Sequence, residues 1–561
     1  QEPPPDGWWP NSIEDIVQPE PLAQIRDWLR RCERWHRRGG RDSERPAAEA
    51  YGEDSLYPRA RGRCWDLRGG KGNITLWRDY TEEERQERTC INLKFAKELF
   101  SDCIDEEFVE FLVAGVRFHA GLEHQIVLMP NLLSLYRDGG VGAAAAQADD
   151  MVRLGFIAVF DDLPSVPYRV IPRGVVPKAG TDELRGIADQ GAPRKPLHTR
   201  RKGADHPPPG DAVEALNDKC RADPSWDHED KDTLSSAAFN GAILQALADI
   251  TGEVTIELAL DMSKWFHRMF YSALDLWTTG AVIPSDASSG LRLAIEMAMT
   301  MGATPASQIA QRFANAMVQK VCIEMDKLET AARATEPLSP ELQHALDRRN
   351  SDLPSDSYST QGRLYDLTYY SDDGHGMVVG ARRAVRFLRA FWTIAGPDGL
   401  RAPLSRASKQ QIGVCVIWLG GTLAAGLGLV WIPKEKVARA ALGLRTTIDG
   451  QMPVSDYRRL IGFLVSVLFM LGGDRNLLNH VFRPLKPGYF PPNEIDKGPA
   501  TLVEVDELMG PTLKRWLKLI LNTPGAAAMS AVTPTPPDAA APRHRIRTDA
   551  ALQGPPGLLY T

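Results

Sequence analysis

The sequence lacks the cysteine spacing that marks a zinc site or a disulfide framework. Its seven cysteines (Cys32, Cys64, Cys90, Cys103, Cys220, Cys322 and Cys415) are dispersed and odd in number, with no CxxC or Cys/His pattern. Such usage points to a reducing compartment and an intracellular protein of cytoplasm or nucleus. An excess of positive charge is also missing: the formal net charge is −6. Contact with phosphate then depends on local basic clusters rather than on the overall sum. No internal repeat and no signal-like leader is visible, and the first residue is Gln1 rather than Met, which fits a piece processed from a longer polypeptide.

Charge is absent from one long run, Ile412 to Pro433, which has the length of a membrane span. Its five glycines, with the pair Gly420–Gly421, suit a β-hairpin better, and no membrane contact is expected. The rest is ordinary for a folded protein: 43% of the 561 residues are hydrophobic and 25% charged. That length calls for about two to four domains. Basic residues cluster at Arg26 to Arg41, at Arg194 to Lys202, and along Arg382, Arg383, Arg386 and Arg389. Each cluster taken alone is more often a solvated face than a binding stripe.

Residues 1–90, rich in Pro, Arg, Gly and Trp, read as an extension or linker with one short amphipathic stretch at Pro21 to His36. A second segment, 91–252, opens with a helical pattern from Asn92 to Arg153, where Phe95, Leu99, Phe108, Phe111 and Leu112 recur near i, i+3 and i+4. It also holds a Pro-, Gly- and Arg/Lys-rich loop from Arg194 to Asp211. Residues 253–432 and 433–523 follow, then an Ala/Pro/Thr-rich linker at 524–543 and a terminal stub at 544–561.

Chemistry concentrates in 253–432. Glu253 to Asp261 (EVTIELALD) alternates as a strand, with Val254, Ile256, Leu258 and Leu260 on one side and Glu257, Ala259 and Asp261 on the other. The apolar run from Trp265 to Trp277 reads as a helix. Leu364 to Gly380 (LYDLTYYSDDGHGMVVG) has two apolar runs flanking Ser-Asp-Asp-Gly, the residues of a tight hairpin turn, and a helix follows at Arg382 to Ile394. A strand-ending aspartate or an Asp-Asp turn is, on its own, usually structural. Paired carboxylates on a rigid turn, joined by a third from another strand, suit two divalent cations. Met301-Gly302-Ala303-Thr304-Pro305 leads into another helix, with Thr304 as N-cap and Ile309, Phe313, Met317 and Val321 along one face.

Taken in order, these elements resemble the reverse transcriptases. Tyr370-Ser371-Asp372-Asp373 is similar to their Y-x-D-D box, and Asp261 followed five residues later by Phe266 is similar to their first palm motif. The resemblance implies that Asp261, Asp372 and Asp373 hold two Mg²⁺ ions, with Mn²⁺ as a substitute, and that Phe266 excludes a 2′-hydroxyl. Upstream, Lys178, Arg185 and Asp189 stand at the family's intervals for its fingers hairpin, whose two cations bind the triphosphate. On the Thr304–Pro305 helix, Gln308, Gln311, Arg312 and Asn315 become candidates for touching template and nucleotide. Lys409 falls where the family has a lysine near the pyrophosphate, and Trp418, Leu419 and Gly420 where it has the hairpin that holds the primer end. Tyr457 to Leu471 followed by Gly472-Gly473-Asp474-Arg475 is similar to a retrotransposon thumb. Ile546 to Ala550 (IRTDA) is similar to the first strand of ribonuclease H; the chain ends at Thr561, so no ribonuclease H activity is expected of it.

The implied fold is α+β, a right hand of fingers, palm and thumb with an antiparallel palm sheet packed on helices and a helical N-terminal region. Residues 91–252 supply the N-terminal helices and fingers, 253–432 the palm, and 433–523 the thumb. The implied function is a reverse transcriptase that extends a DNA primer on an RNA or DNA template from dNTPs, belonging to a retrotransposon that most resembles the tyrosine-recombinase (DIRS) type. Two other readings compete: a decayed retroelement protein that binds nucleic acid without catalysis, and an RNA-dependent RNA polymerase, against which Phe266 argues. Oligomeric state is not legible.

Overall fold

The computed structural model describes residues 17–37, 91–117, 127–160, 169–193, 214–352, 363–482 and 502–528, apart from short breaks within them. Lys178, the 194–211 loop, Gly472 to Arg475 and the stub around Asp549 lie outside the described residues. The architecture is mixed, with helices packed on antiparallel sheets.

Among the described residues the first helices are α1 (Pro19–Arg37), α2 (Leu93–Leu99), α3 (Glu106–Ala114) and α4 (Gly140–Arg153). Side-chain oxygens of Asn92 and Asp105 accept from Phe95 and Phe108 N–H, which is why α2 and α3 start where they do. The amphipathic Pro21–His36 stretch belongs to α1, whose Leu22, Ile25, Trp28 and Cys32 join the largest apolar core rather than standing apart. Strands β1 (Ile157–Phe160), β2 (Arg173–Pro177) and β3 (Leu184–Ala188) follow, and β2 with β3 forms the expected hairpin, Val176 paired with Arg185.

After α5 (Leu216–Ala222) and α6 (Leu234–Thr251) comes β4 (Thr255–Asp261), then β5 (Gly280–Pro284) and β6 (Leu291–Glu296), which complete a three-stranded sheet with β1. The 265–277 segment is not a helix: it forms two short 3-10 turns, Trp265–Arg268 and Leu276–Thr278. Its backbone is claimed by distant partners, with Tyr271 N–H donating to Met297 C=O (2.9 Å) and Ser272 N–H to Val116 C=O (2.7 Å). Tertiary pairing outcompetes the i→i−4 ladder there.

Helix α7 (Thr304–Ala332) runs for 29 residues. Thr304 is its first residue rather than its N-cap; the cap is supplied from α5, where the Asn217 side chain accepts from Thr304 N–H (2.8 Å) and donates to Gly302 C=O (2.7 Å). The face of Ile309, Phe313, Met317 and Val321 is fully buried. Next come α8 (Pro340–Asp352), β7 (Tyr365–Tyr370), β8 (Asp373–Val379) and α9 (Ala381–Ala395). A second β segment holds β9 (Gln411–Gly413), β10 (Val416–Trp418), β11 (Gly421–Ala424) and β12 (Leu429–Trp431). The described part of the uncharged run is thus strand and turn, and among the described residues no helix is long and apolar enough to cross a membrane. Helices α10 (Lys434–Ile448), α11 (Val454–Val467) and α12 (Met509–Asn522) form a separate apolar cluster around Tyr457, Leu464 and Trp516.

One four-stranded antiparallel sheet positions the site, in the order β7-β8-β4-β9. Helices α7 and α9 cover one face through Ile256, Leu258, Leu260, Leu367 and Val378, while α6 and the β10–β11 hairpin cover the other through Met377 and Val379. Both faces being buried, β4 shows little of the exposed–buried alternation its sequence suggests. Glu257 survives in that interior because His375 lies 3.1 Å away. Two of the four basic residues of α9 are internal: Arg383 binds Glu329 (3.0 Å) and Glu253 (2.7 Å), and Arg386 binds Glu329 (2.5 Å) and Glu336 (2.9 Å), while Arg382 and Arg389 are exposed. Arg383 and Arg386 tie α9 to α7 and to the start of β4 rather than forming a free phosphate stripe.

Phe313 is the keystone between α7 and the site, stacked on Trp265 at 4.4 Å and edge-on to Phe100, with Phe108 at 5.6 Å. Phe313→Ala is expected to cost about 3–5 kcal/mol, since a rigid aromatic cluster cannot collapse into the gap. Urea unfolding of the two proteins measures it; a loss under about 1 kcal/mol contradicts this packing.

Candidate active site

Strands β4 and β8 run antiparallel in a register that pairs Asp261 with Asp373. The β7–β8 turn is Ser371–Asp372, flanked by the Tyr370–Asp373 pair, so three aspartates gather at one end of the sheet. Ser371 sits at φ +56°, a conformation that costs a non-glycine residue and persists only where its surroundings hold it. Gln311, fully buried on α7, supplies that hold: its Nε2 donates to Tyr369 C=O (2.9 Å) and its Oε1 accepts from Ser371 N–H (2.8 Å). Gly374 is a strand residue rather than part of the turn; a Cβ there would sit 2.4 Å from the Tyr369 ring, which lies across it.

Asp261 is gripped by the loop before β9. Ser405 Oγ donates to Asp261 Oδ1 (3.0 Å) and Lys409 Nζ to Oδ2 (2.5 Å). Gln410 brackets the Asp261 backbone, accepting from its N–H (3.0 Å) and donating to its C=O (3.1 Å), and Ser405 N–H adds a further bond to that carbonyl (2.8 Å). On the other side, Trp418 donates its indole N–H to Asp373 C=O (3.1 Å) and stacks on His375 at 5.2 Å. The β10–β11 turn is Leu419–Gly420, both at positive φ as a two-residue hairpin of this hand requires, and Lys436 donates to Gly420 C=O (2.9 Å).

Crowding three carboxylates at a half-buried point has an electrostatic cost. Loss of hydration, reinforced by Asp372 and Asp261, pushes the Asp373 carboxyl up to about 6. Desolvation likewise raises Asp372, with Asp261 adding to it and Arg185 and Lys409 opposing. Arg185 therefore lies within electrostatic reach of the turn, although Met301 Sδ is the contact its guanidinium makes (2.8 Å). The buried His267 imidazole is held down at about 3, chiefly by desolvation and then by Lys264, Arg268, Arg173 and Arg185, so it stays neutral.

Asp261, Asp372, Asp373 and Lys409 are thus brought together, with Trp418 beneath them. Phe266 follows on the 3-10 turn, partly buried against the main core. Gln308 is half-buried on α7, three residues before the Gln311 clamp. Two candidates for template contact are otherwise engaged: Gln311 faces inward, and Arg312 forms a bidentate pair with Asp105 and a bond to Glu107 (2.9 Å). Trp418 is buried as well, leaving Ile417 as the exposed residue of its hairpin. Sequence reasoning missed Ser405 and Gln410, which stand in an aperiodic loop, and Lys231, whose Nζ donates to Ser371 Oγ (2.9 Å) and lies 4.8 Å over the Tyr370 ring.

The donor set fits a hard divalent cation in kind: Asp372 and Asp373, raised by burial and by a neighbouring carboxylate, are short of positive charge. Among the described residues, no three His, Cys, Asp or Glu side chains converge as a ready-made ligand group. Asp261 instead spends both oxygens on Ser405 and Lys409.

No protein-family model and no curated protein matches the chain. Among solved structures, it is similar to a foamy viral protease-reverse transcriptase in complex with dsDNA, at TM-score 0.40 and 10% identity over 77% of this chain and 71% of that one. A dRH form of that protein with ds DNA gives TM-score 0.40 and 11% identity over 77% and 60%, and a complex with RNA/DNA hybrid gives 0.36 and 9% over 78% and 45%. The chain thus spans less than two thirds of the latter two. Likeness at this level carries no chemistry, which is read from the residues.

Because burial and its neighbours raise Asp373, the charged carboxylate destabilises the fold at neutral pH. The folded state takes up this proton before the unfolded state does, so its contribution to stability rises as pH falls from above 6 towards 4. Asp373→Asn is expected to melt about 2–5 °C higher than the parent at pH 7.5, with the gap closing at pH 4.5. Thermal melts at the two pH values measure this; a variant that melts lower at pH 7.5 contradicts it.

Proposed function

We propose that the chain is a reverse transcriptase that extends a DNA primer on an RNA or DNA template, drawn from a retrotransposon. The observation that carries this reading is the register that sets Asp261 opposite Asp373 with Asp372 on the adjoining turn. In the terms of that reading, the β7-β8-β4-β9 sheet is the palm, the β2–β3 hairpin the fingers, and α10 to α12 the thumb.

Asp261, Asp372 and Asp373 would hold two Mg²⁺ ions, for which Mn²⁺ can substitute. When bound, such ions neutralise phosphate charge and lower the pKa of a primer 3′-hydroxyl. The chain's own residues orient and select. Arg185 faces the triphosphate and stabilises the charge that develops on leaving pyrophosphate, a role that Lys178, which lies outside the described residues, would share. Lys409 carries a proton beside Asp261 and can give it to that leaving group. Phe266, held by its neighbour Trp265 against α7, crowds the sugar 2′ position. Gln311 and Trp418 fix the backbone on either side of the paired aspartates. Template and primer are bound through phosphate and sugar, so binding weakens with salt.

Primer extension on poly(rA)–oligo(dT) with Mg²⁺ and dTTP tests the reading. The parent extends and Asp372→Asn loses at least ~10³-fold in rate, as removal of a charge-stabilising group at a reacting centre does. Failure of both, with tight salt-sensitive binding to the duplex, would instead identify a non-catalytic binder. Phe266→Ala is expected to admit ribonucleotides; comparing UTP with dTTP incorporation reads this, and unchanged sugar discrimination would remove Phe266 from the role.

A further inference from the structure

Helix α1 ends against the loop that holds Asp261. Its Trp35 packs edge-on to Trp392 of α9 at 5.5 Å, and Leu22, Ile25, Trp28 and Cys32 are buried in the main core, so the helix is firmly seated. From its last turn, Glu33 reaches across: Oε2 accepts from the backbone N–H of Ala407 (2.7 Å), while Oε1 takes Arg37 Nε (3.0 Å). Ala407 opens the 3-10 turn Ala407–Lys409, and a carboxylate at the start of a turn satisfies an N–H that has no partner within it. The same two bonds hold the Glu33 carboxyl below its usual range.

The side chains that grip Asp261 lie within three residues of that contact. Ser405 and Lys409 occupy its two carboxylate oxygens and Gln410 brackets its backbone. Lys409 is half-exposed and long, so its placement depends on the backbone turn beneath it rather than on packing of its side chain.

We propose that Glu33 is a positioning residue of the active site, through which the N-terminal helix sets the 405–410 loop and thereby Lys409 against Asp261. The proposal rests on the polymerase reading for its consequence in catalysis, but its geometry stands independently. It makes the segment from Pro19 to Arg37 part of the catalytic body.

Two readouts on the full chain test it. Amide hydrogen exchange across residues 405–410 reads the loop directly: Glu33→Ala is expected to speed it about tenfold, and unchanged exchange overturns the proposal whether or not the chain polymerises. In primer extension, Glu33→Ala is expected to lower kcat about tenfold with the KM for primer–template unchanged, the size of loss a small misplacement brings. Glu33→Gln keeps an oxygen for Ala407 and is expected to recover most of that loss. In a Lys409→Ala background, Glu33→Ala should have no further effect, because the residue it acts through is gone. Losses that simply multiply in the double variant would show Glu33 acting through stability alone and overturn the proposal. A parent that extends no primer, with faster loop exchange in Glu33→Ala, sinks the polymerase reading and leaves the positioning of the loop standing.

Discussion

Mutual repulsion among Asp261, Asp372 and Asp373 is the constraint around which the structure is arranged. Loss of hydration, reinforced by neighbouring carboxylates, pushes Asp372 and Asp373 toward the protonated state, and the fold must spend local structure to keep them there. It does so in two ways. Cations oppose the charge, with Lys409 in contact and Arg185 through the field. Backbone clamps oppose the motion, with Gln311 around the Ser371 turn, Gln410 around Asp261 and Trp418 on Asp373.

Each clamp comes from a different element, and each element is anchored in one of the two apolar clusters that flank the sheet. Helix α7 brings Gln311 because Ile309, Phe313, Met317 and Val321 are buried in the main core. The β10–β11 hairpin brings Trp418 because Leu423 and Val430 pack with α6. Helix α1 brings Glu33 because its apolar stripe docks on α9. Core packing and site geometry are therefore one problem: a shift in any layer moves a clamp, and a clamp moves an aspartate.

A large part of this was legible from residues alone. The alternation of Thr255 to Asp261, the turn at Ser371–Asp372, the spacing of Ile309, Phe313, Met317 and Val321, and the strand character of the uncharged run all report local backbone geometry, which sequence periodicity encodes directly. Where reading failed, distant partners decided. Trp265 to Trp277 has helical composition, yet its N–H and C=O groups pair with Val116 and Met297. Gln311 and Arg312 look like surface polar residues on a helix and are instead a buried clamp and an ion pair with Asp105. Arg383 and Arg386 look like part of a basic stripe and are cross-links between α9, α7 and the start of β4.

By itself the sequence determined which side chains carry charge and which turns and strands carry them, because turn chemistry and side-chain periodicity act over a few residues. Only the tertiary structure decided that Asp261 faces Asp373, that Lys409 and Ser405 divide the Asp261 carboxylate, and that Glu33, hundreds of positions away in the chain, holds the loop from which they act. Those relations are set by strand register and by helix docking, which depend on how whole apolar faces fit together and leave no local trace in the residues they join.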